Sequence, residues 1–450
     1  MPSRLRVLLL AVVAAGLTTA EEAPETWLRP GPNLAVGADY TLAPAPSYAL
    51  CRDDGDGVQL TDGQYTSGYF WTTASTVGWG AGHEPLITLD LGRPQAIAGL
   101  SYHTAAGRAG VAWPRRIALF VSDDGRQWHP AGDLVALDRQ RGGAPPTEFD
   151  TYRFWTGALR THGRFVALAI QPDGAYTFID ELEVYGGDPA WLAEPLAGPG
   201  LDGLEAARLQ RRAVADVEAQ VETLRTRLGD VPAAPRPGLQ TALDEAAAGL
   251  EQLVPPPPDR AELPFGQAHL AVLAVNAAIG RAMGHEGLEL WQSNKWDPLE
   301  MISLPPQPRV PPRLDYALLR GEVRGEVLNL TNFGHEALRL ACRVEGLPAA
   351  TATIRQAVWT AVRDAPPMAS ALPVLNGPLV LEPGLTRQLW IAVDAATLPA
   401  GDLTGRLVLE GGPDGTVTVP LTVHVPRWRC RHSSRWPWAD GTTRTARTAA

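Results

Sequence analysis

Alternation of apolar and polar positions is clearest between residues 86 and 128. Apolar side chains occupy every second position of two runs, at Ile87, Leu89 and Leu91 and then at Ile117, Leu119 and Val121. A period of two is typical of half-buried β-strands. The second run ends in Ser122-Asp123-Asp124-Gly125, a sequence that favours a tight turn. We therefore expect a set of antiparallel strands with loops between them.

The spacing of apolar residues becomes helical after Pro189. Two stripes follow the 3-4-3-4 spacing of an amphipathic helix, at Val214, Val217, Val221, Leu224 and Leu228 and at Leu239, Leu243, Ala246, Leu250 and Leu253. A third helix is expected from Phe265 to Met283. The pattern predicts a helical hairpin or small bundle over residues 200–285, with the stripes as its core.

A second region of period two follows a proline-rich connector at residues 286–312. It covers residues 313–426 and includes the run Gln388-Leu389-Trp390-Ile391-Ala392-Val393. Many short strands separated by turn sequences are typical of an immunoglobulin-like β-sandwich. This part is similar to the accessory sandwiches that precede catalytic barrels in bacterial glycoside hydrolases.

The region 33–187 resembles the discoidin domain, the coagulation-factor C-type domain that also occurs as galactose-binding-like carbohydrate-binding modules. The motifs that carry the resemblance are, in order, Leu60-Thr61-Asp62-Gly63, Thr88-Leu89-Asp90-Leu91-Gly92, Pro114-Arg115-Arg116-Ile117 with Val121-Ser122-Asp123-Asp124-Gly125-Arg126-Gln127-Trp128, Gly163-Arg164-Phe165-Val166, and Asp180-Glu181-Leu182-Glu183-Val184-Tyr185-Gly186. The resemblance covers roughly a third of the 450 residues. It implies a galactose-binding-like β-sandwich, so the expected fold class is mainly β and multidomain.

Composition narrows the range of partners. The chain has 49 acidic against 39 basic residues, for a net charge of −10, and no domain-sized basic face is visible. This balance argues against a nucleic-acid partner. A hydrophobic content of 45% is enough for packed cores. The cysteines number three, which does not support a disulfide framework.

The two ends differ from the rest of the chain. Residues 1–20 combine a short basic region, an apolar run and small residues before a cleavage site after Ala20, which predicts a signal peptide and a secreted or cell-surface protein. An uncleaved membrane anchor is the alternative. Residues 21–32 are expected to be a linker.

The tail 427–450 is rich in arginine and tryptophan and lacks apolar periodicity, so we expect it to be disordered. A frameshifted end would explain its composition, and contact with an anionic membrane or glycan is the alternative.

The resemblance implies a structural calcium site in the first sandwich. Its ligands would come from Asp62 in the Asp-Gly turn, from Thr66 and from Glu181 in the last strand. Hard oxygen ligands of this kind suit Ca²⁺. The alternative is a turn aspartate and a surface glutamate with no metal.

Aromatic and polar residues gather in glycine-rich segments that are expected at one rim of this sandwich. A sugar site needs an aromatic ring for the apolar face of a pyranose and polar groups for its hydroxyls. The candidate residues are Trp79, His83, His103, Arg108, Trp113 and Tyr176.

No arrangement of residues indicates catalysis. The nine histidines are not spaced as ligand pairs, and no barrel pattern supplies a scaffold for paired carboxylates. The sequence therefore predicts a secreted, non-catalytic carbohydrate-binding protein that recognises polysaccharide or glycan and does not act at a membrane. One alternative is the N-terminal portion of a glycoside hydrolase whose barrel is missing. A second is a surface adhesion module that binds protein or phospholipid.

Overall fold

The computed structural model describes most of the chain as two compact units. The described residues are 29–66, 68–253, 264, 266–362, 365–412 and 415–427. The predicted signal peptide and residues 428–450 of the predicted tail lie outside them. The first unit contains residues up to 119 and 133–195, and the second contains residues 120–132 and those from 196 onward.

Strands dominate the chain as far as residue 195. The elements there are β1 (Asp39–Ala43), β2 (Val77–Trp79), β3 (Leu86–Ala106), β4 (Arg116–Ser122), β5 (Gln127–Asp133), α1 (Leu134–Gln140), β6 (Asp150–Thr156), β7 (Thr161–Gln171), β8 (Thr177–Ile179) and β9 (Glu181–Gly186). The short helix α1 has Asp133 as its N-cap, and the Asp133 carboxylate accepts the Val135 N–H at 3.1 Å.

Strand β3 organises the first unit. Residues 86–128 contain separate strands joined by loops, as the sequence predicted, and the first of them, Leu86–Ala106, is one continuous strand of 21 residues. Its first part pairs with β1 and β7, and its second part pairs with β6 and β9. The pairing with β7 shifts between Asp90 and Gln95, where Gly92 has a φ of 77°. The register shift therefore lies within the pairing with β7, and β9 and β6 become partners of β3 from Ile97 and Leu100 onward.

The apolar positions of the period-two runs form the core of this sandwich. Ile87, Leu89, Ile117 and Leu119 are each 1% exposed or less. The small sheet of β2 and β8 adds further buried side chains, including Phe178. Alternation along the sequence thus corresponds to the inward face of the strands.

The second unit combines helices and strands. After residue 195 the elements are β10 (Leu201–Asp202), α2 (Leu204–Arg227), α3 (Arg236–Ala248), α4 (Gly266–Ala282), β11 (Leu288–Trp291), β12 (Leu314–Ala317), β13 (Val323–Asn332), β14 (Leu338–Glu345), β15 (Ala352–Gln356), β16 (Val358–Val362), β17 (Ala365–Ala371), β18 (Leu379–Leu381), β19 (Thr386–Asp394), β20 (Gly401–Gly412) and β21 (Gly415–Val425).

Two sheets form a β-sandwich in this unit. One sheet has the strand order β11-β13-β19-β15 and the other the order β12-β21-β20-β14-β18. Alternate residues of β19, such as Leu389 and Ile391, are fully buried, as are Leu407 and Leu421 from the other sheet. The mainly β, multidomain fold class is confirmed.

The helices share one hydrophobic core with this sandwich. The buried cluster includes Val217 and Leu224 of α2, Leu273 of α4, and Leu389 and Leu421 of the sheets. The apolar stripes are therefore core, as the sequence analysis expected, but they are covered by strands as well as by other helices. No helix in the described part of the chain combines the length and apolarity needed to cross a bilayer.

Candidate functional site: an open cavity at the rim of the first unit

Strand register brings several loops to one end of the first unit. Ala106 at the end of β3 is paired with Asp150 at the start of β6, and His103 is paired with Glu181 at the start of β9. Because neighbouring strands run antiparallel, the loop that leaves β3 lies beside the loops that enter β6 and β9. The sequence-distant segments 107–115, 141–149 and 172–180 therefore meet at one rim.

An open cavity of about 320 Å³ lies at this rim. Its aromatic and apolar lining includes Trp113 and Phe154, and its charged lining includes Arg115, Asp138 and Asp173. This volume is at the lower end of the range for small-molecule sites and suits a ligand the size of one sugar unit.

The ring of Trp113 is held in place. It is half-buried, and its indole N–H donates to the carbonyl of Pro146 at 2.7 Å. The rings of Tyr152 and Phe154 pack edge-on against it, with centroids at 5.8 and 6.1 Å. One aromatic wall of the cavity is thus fixed before any ligand arrives, which limits the entropy lost on binding.

The polar side of the cavity is an accessible ion pair. Arg115 donates to the Oδ1 of Asp173 at 2.5 and 3.1 Å, and the two side chains are 57% and 51% exposed. A guanidinium and a carboxylate present donors and acceptors side by side, which suits adjacent hydroxyl groups of a sugar.

Asp138 supports the inner wall of the cavity. It is 1% exposed and accepts hydrogen bonds from the hydroxyl of Tyr152 at 2.7 Å and the N–H of Trp155 at 3.1 Å, and it also pairs with Arg141. Burial, together with the bond to Asp138, raises the pKa of Tyr152 to about 12. The backbone of Gly143 lies so close that a Cβ there would come within 2.1 Å of Asp138 Oδ2. Asp138 therefore holds the loop before β6 in shape.

A second aromatic surface at this rim escaped the sequence analysis. Tyr69 is 41% exposed and stacks on Phe149, with centroids 5.5 Å apart, while the guanidinium of Arg108 lies 5.9 Å from the Tyr69 ring centroid. Tyr69 follows Gly68 in a glycine-containing segment. This neighbourhood was the feature of the sequence that could have identified Tyr69 as a rim residue. Arg108, which the sequence did predict, is exposed beside it.

Two of the predicted ligand-binding aromatics occupy different environments. Trp79 is 1% exposed, and its indole N–H donates to the carbonyl of Pro44 at 2.8 Å. It is a core residue of β2, so the expectation that it forms a sugar platform was wrong. Tyr176 is half-buried and packs edge-on against Tyr48 at 5.5 Å.

The two histidines predicted to bind ligand also lie in different environments. His83 is exposed. His103 has only 12% of its side chain exposed, and its Nδ1 lies 2.7 Å from Asp180 Oδ1. The Tyr65 ring packs edge-on against it at 5.0 Å. His103 therefore belongs to a nearly closed polar network rather than to the open cavity.

The loop that carries Asp62 and Thr66 is hydrogen-bonded to the start of β9. The N–H of Gly63 donates to both carboxylate oxygens of Glu181 at 3.2 and 3.3 Å, and the N–H of Thr66 donates to Asp180 at 2.7 Å. The hydroxyl of Thr66 contacts Ser75, with its oxygen 2.9 Å from Ser75 Oγ. The backbone hydrogen bonds from Gly63 and Thr66 therefore hold the loop that contains Asp62 against the start of β9.

Glu181 is the unusual member of this group. It is fully buried, which contradicts the alternative expectation of a surface glutamate. Burial, together with the negative charges of Asp62, Glu183 and Asp180, raises the pKa of Glu181 to about 9. Among the described residues, no group of three or more histidine, cysteine or acidic side chains could hold a metal ion. Carboxylate oxygens such as those of Asp62 and Glu181 are ligands of the kind that Ca²⁺ prefers.

Comparison with known proteins finds similarity at the level of solved structures. No family model and no curated protein matches the chain. The module CpGH89CBM32-6 of Clostridium perfringens is 18% identical over 35% of this chain and 100% of the module, with a TM-score of 0.23. Chitosan-binding module 2 from a chitosanase/glucanase of Paenibacillus sp. IK-5, in complex with chitotriose, is 20% identical over 34% of this chain and 100% of that module, with a TM-score of 0.22.

A family 123 glycoside hydrolase of Clostridium perfringens is also similar. It is 8% identical over 32% of this chain, with a TM-score of 0.26, and the similarity spans 28% of that enzyme.

Proposed function

We propose that this protein binds glycans, and that its first unit holds one sugar unit of a polysaccharide or glycan in the cavity beside Trp113. The observation that carries the proposal is the lining of this cavity, which combines a fixed indole ring with an accessible ion pair. This combination matches the two surfaces of a pyranose, an apolar face of C–H groups and an equatorial set of hydroxyls.

The aromatic and the charged residues of the cavity would contact different parts of the sugar. The indole of Trp113 packs against the apolar face of the sugar ring. Arg115 donates to ring hydroxyls and Asp173 accepts from them. Stacking on one aromatic ring with a few hydrogen bonds gives a Kd on the order of micromolar to millimolar.

The proposal includes three further expectations from the sequence. The protein is exported, it binds glycans without hydrolysing them, and a calcium ion stabilises the first unit. Asp62 and Glu181 would hold the ion, whose positive charge would offset the buried charge of Glu181. The role of the ion would be structural, since these residues belong to the loop docked on β9 and not to the cavity lining.

A glycan array with the full chain, followed by calorimetric titration of the best-binding glycan, tests the cavity. Arg115→Ala and Asp173→Ala should each weaken binding by about 10- to 100-fold, because each removes hydrogen bonds to a charged group. Arg160→Ala is the matched control, since Arg160 forms an exposed ion pair with Glu194 in the same unit but does not line the cavity.

The fold should be unchanged in all three variants, because exposed ion pairs contribute little to stability. Equal affinity for Arg115→Ala, Asp173→Ala and the Arg160→Ala control would show that the cavity is not the binding site. Release of reducing sugar by the wild-type chain would contradict binding without hydrolysis.

A further inference from the structure

We infer that the second unit carries a separate glycan-binding surface, formed by Trp296 and Trp390 on its β11-β13-β19-β15 sheet. This inference goes beyond the function proposed for the cavity, because its residues all belong to the other unit. We call Trp296 and Trp390 the tryptophan pair.

Trp296 is unusually accessible. It is 77% exposed, which makes it the most exposed large hydrophobic side chain in the described part of the chain. Its ring meets the half-buried ring of Trp390 edge-on, with centroids 6.0 Å apart and an angle of 66° between the planes. The exposed ring of Trp296 therefore contacts a second indole that is itself partly accessible.

The backbone beneath Trp296 is held by several hydrogen bonds. The N–H of Trp296 donates to the side chain of Asn294 at 3.1 Å, and the N–H of Asp297 donates to the carbonyl of Asn294 at 3.0 Å. The neighbouring Lys295 donates to the carbonyl of Gly325 at 2.9 Å and to Glu326 at 3.0 Å. This turn is thereby tied to strand β13, so the exposed ring is positioned by the fold.

Trp390 is held in position by its neighbours and is only partly covered by them. Its indole N–H donates to Gln388 Oε1 at 2.7 Å, which fixes the ring. On the adjacent strand β13 lies Gly325, where a Cβ would come within 3.1 Å of the Trp390 ring. Any larger side chain at that position would crowd or cover the indole. Glycine therefore lets the indole lie close to strand β13.

The size and surroundings of the tryptophan pair favour a sugar over a protein partner. An indole side chain offers at most about 150–250 Å² of contact area, whereas a stable protein interface needs about 800 Å² from each partner. The pair matches the apolar face of one or two pyranose rings. The partly exposed pair of Lys295 and Glu326 lies on the same turn and adjacent strand and can hydrogen-bond sugar hydroxyls.

The test uses the full chain with the cavity disabled by Arg115→Ala and Asp173→Ala, so that the two sites are separated. Affinity electrophoresis in soluble β-1,4-linked glucan, galactan and partly acetylated chitosan provides the probes. Residual retardation is expected in at least one gel. Adding Trp296→Ala should weaken that interaction by about tenfold or more, whereas Trp296→Phe should largely preserve it because an aromatic face remains.

Val310→Ala is the matched control, since Val310 is an exposed hydrophobic side chain of the same unit at 72% exposure. The inference is overturned if no polysaccharide retards the cavity-disabled chain, or if Trp296→Ala behaves as Val310→Ala does. A concentration-dependent dimer that Trp296→Ala abolishes, with no change in retardation, would also overturn it in favour of a self-contact. If Trp296→Ala abolishes the retardation while the cavity substitutions have no effect on it, the tryptophan pair is supported as the binding site and the cavity is refuted as one.

Discussion

At the scale of single residues, burial separates side chains that look equivalent in the sequence. Trp79 and Trp113 both lie in glycine-rich segments of the first unit. Trp79 fills the core, whereas Trp113 is half-buried and lines a cavity. Both indole N–H groups donate to backbone carbonyls of prolines. Hydrogen bonding is therefore alike in the two residues, and only access to the ring decides which can bind a sugar.

Glu181 gives a prediction for calcium. In the metal-free protein the raised pKa of Glu181 keeps its buried carboxyl protonated at pH 7. In the unfolded chain the same carboxyl is ionised at pH 7. The native state is therefore less stable at pH 7 than at a pH low enough to protonate this carboxyl in both states. Calcium should raise the melting temperature of the wild-type chain, because a metal that binds only the native state stabilises it. Glu181→Gln should remove this response and, in chelator at pH 7, should be at least as stable as wild type.

Thermal melting with chelator and with added calcium measures both effects. Glu194→Gln serves as a control, because Glu194 is a partly exposed acidic residue of the same unit that pairs with Arg160. It should keep the full calcium response. A wild-type melting temperature that calcium leaves unchanged would refute the proposed metal site.

His269 gives a prediction for pH in the second unit. It is fully buried in α4, and burial lowers its pKa to about 4. Between about pH 6.5 and 4 the unfolded chain binds a proton at this residue and the native chain does not, so stability falls as pH falls through this window. From pH 7.5 to 4.5 the wild type should lose about 2–3 kcal/mol more than His269→Gln.

Urea unfolding followed by helical circular dichroism at the two pH values provides the measurement. Glutamine retains hydrogen-bonding capacity toward Gln220, which lies 3.1 Å from the His269 ring. Acid destabilisation from other groups is common to both proteins and cancels in the comparison. Identical pH dependence in the two proteins would show that His269 is not the source.

At the scale of elements, the contact of helix α4 with the turn before β19 explains one glycine. Gly384 has a φ of 76°, and a Cβ there would lie 1.8 Å from the carbonyl oxygen of Leu273. Its own carbonyl accepts a hydrogen bond from the buried side chain of Asn276 at 2.7 Å. The helix therefore sits directly on the turn, and only glycine permits the approach.

Gly384→Ala should destabilise the second unit by more than about 2 kcal/mol, because a backbone clash adds to the conformational cost. Gly321→Ala is the matched control, with a φ of 82° and open space around its Cβ. Gly321→Ala should lose only the stability that corresponds to the conformational cost of a positive φ. Chemical denaturation followed by circular dichroism and by tryptophan fluorescence compares the two. Equal stability of the variants would contradict the clash.

At the scale of the whole molecule, shared burial defines the second unit more than its secondary structure does. Leu273 on a helix and Leu389 on a strand belong to one hydrophobic cluster. Sequence periodicity shows that each element has an apolar face, but it does not show which faces meet. The helices that the sequence indicated as a bundle therefore proved to share their core with a sandwich.

The sequence by itself determined the local structure and the class of the fold. The period-two runs around Ile87 and Ile117 predicted strands, and the 3-4-3-4 stripe through Val217 predicted a helix, because side-chain direction repeats with the backbone geometry. The discoidin-like motifs indicated a β-sandwich in residues 33–187. The sequence also singled out Arg108 and Trp113, which the structure places at the rim.

Only the tertiary structure decided which of these residues can act together. Trp113, Phe154 and Asp173 line one cavity although they come from three separate segments, because antiparallel register brings the loops to the same rim. Burial removed Trp79 from the accessible surface and raised the pKa of Glu181. Access, desolvation and long-range contact depend on how strands pair and sheets pack, and a one-dimensional pattern of polarity does not contain those relations.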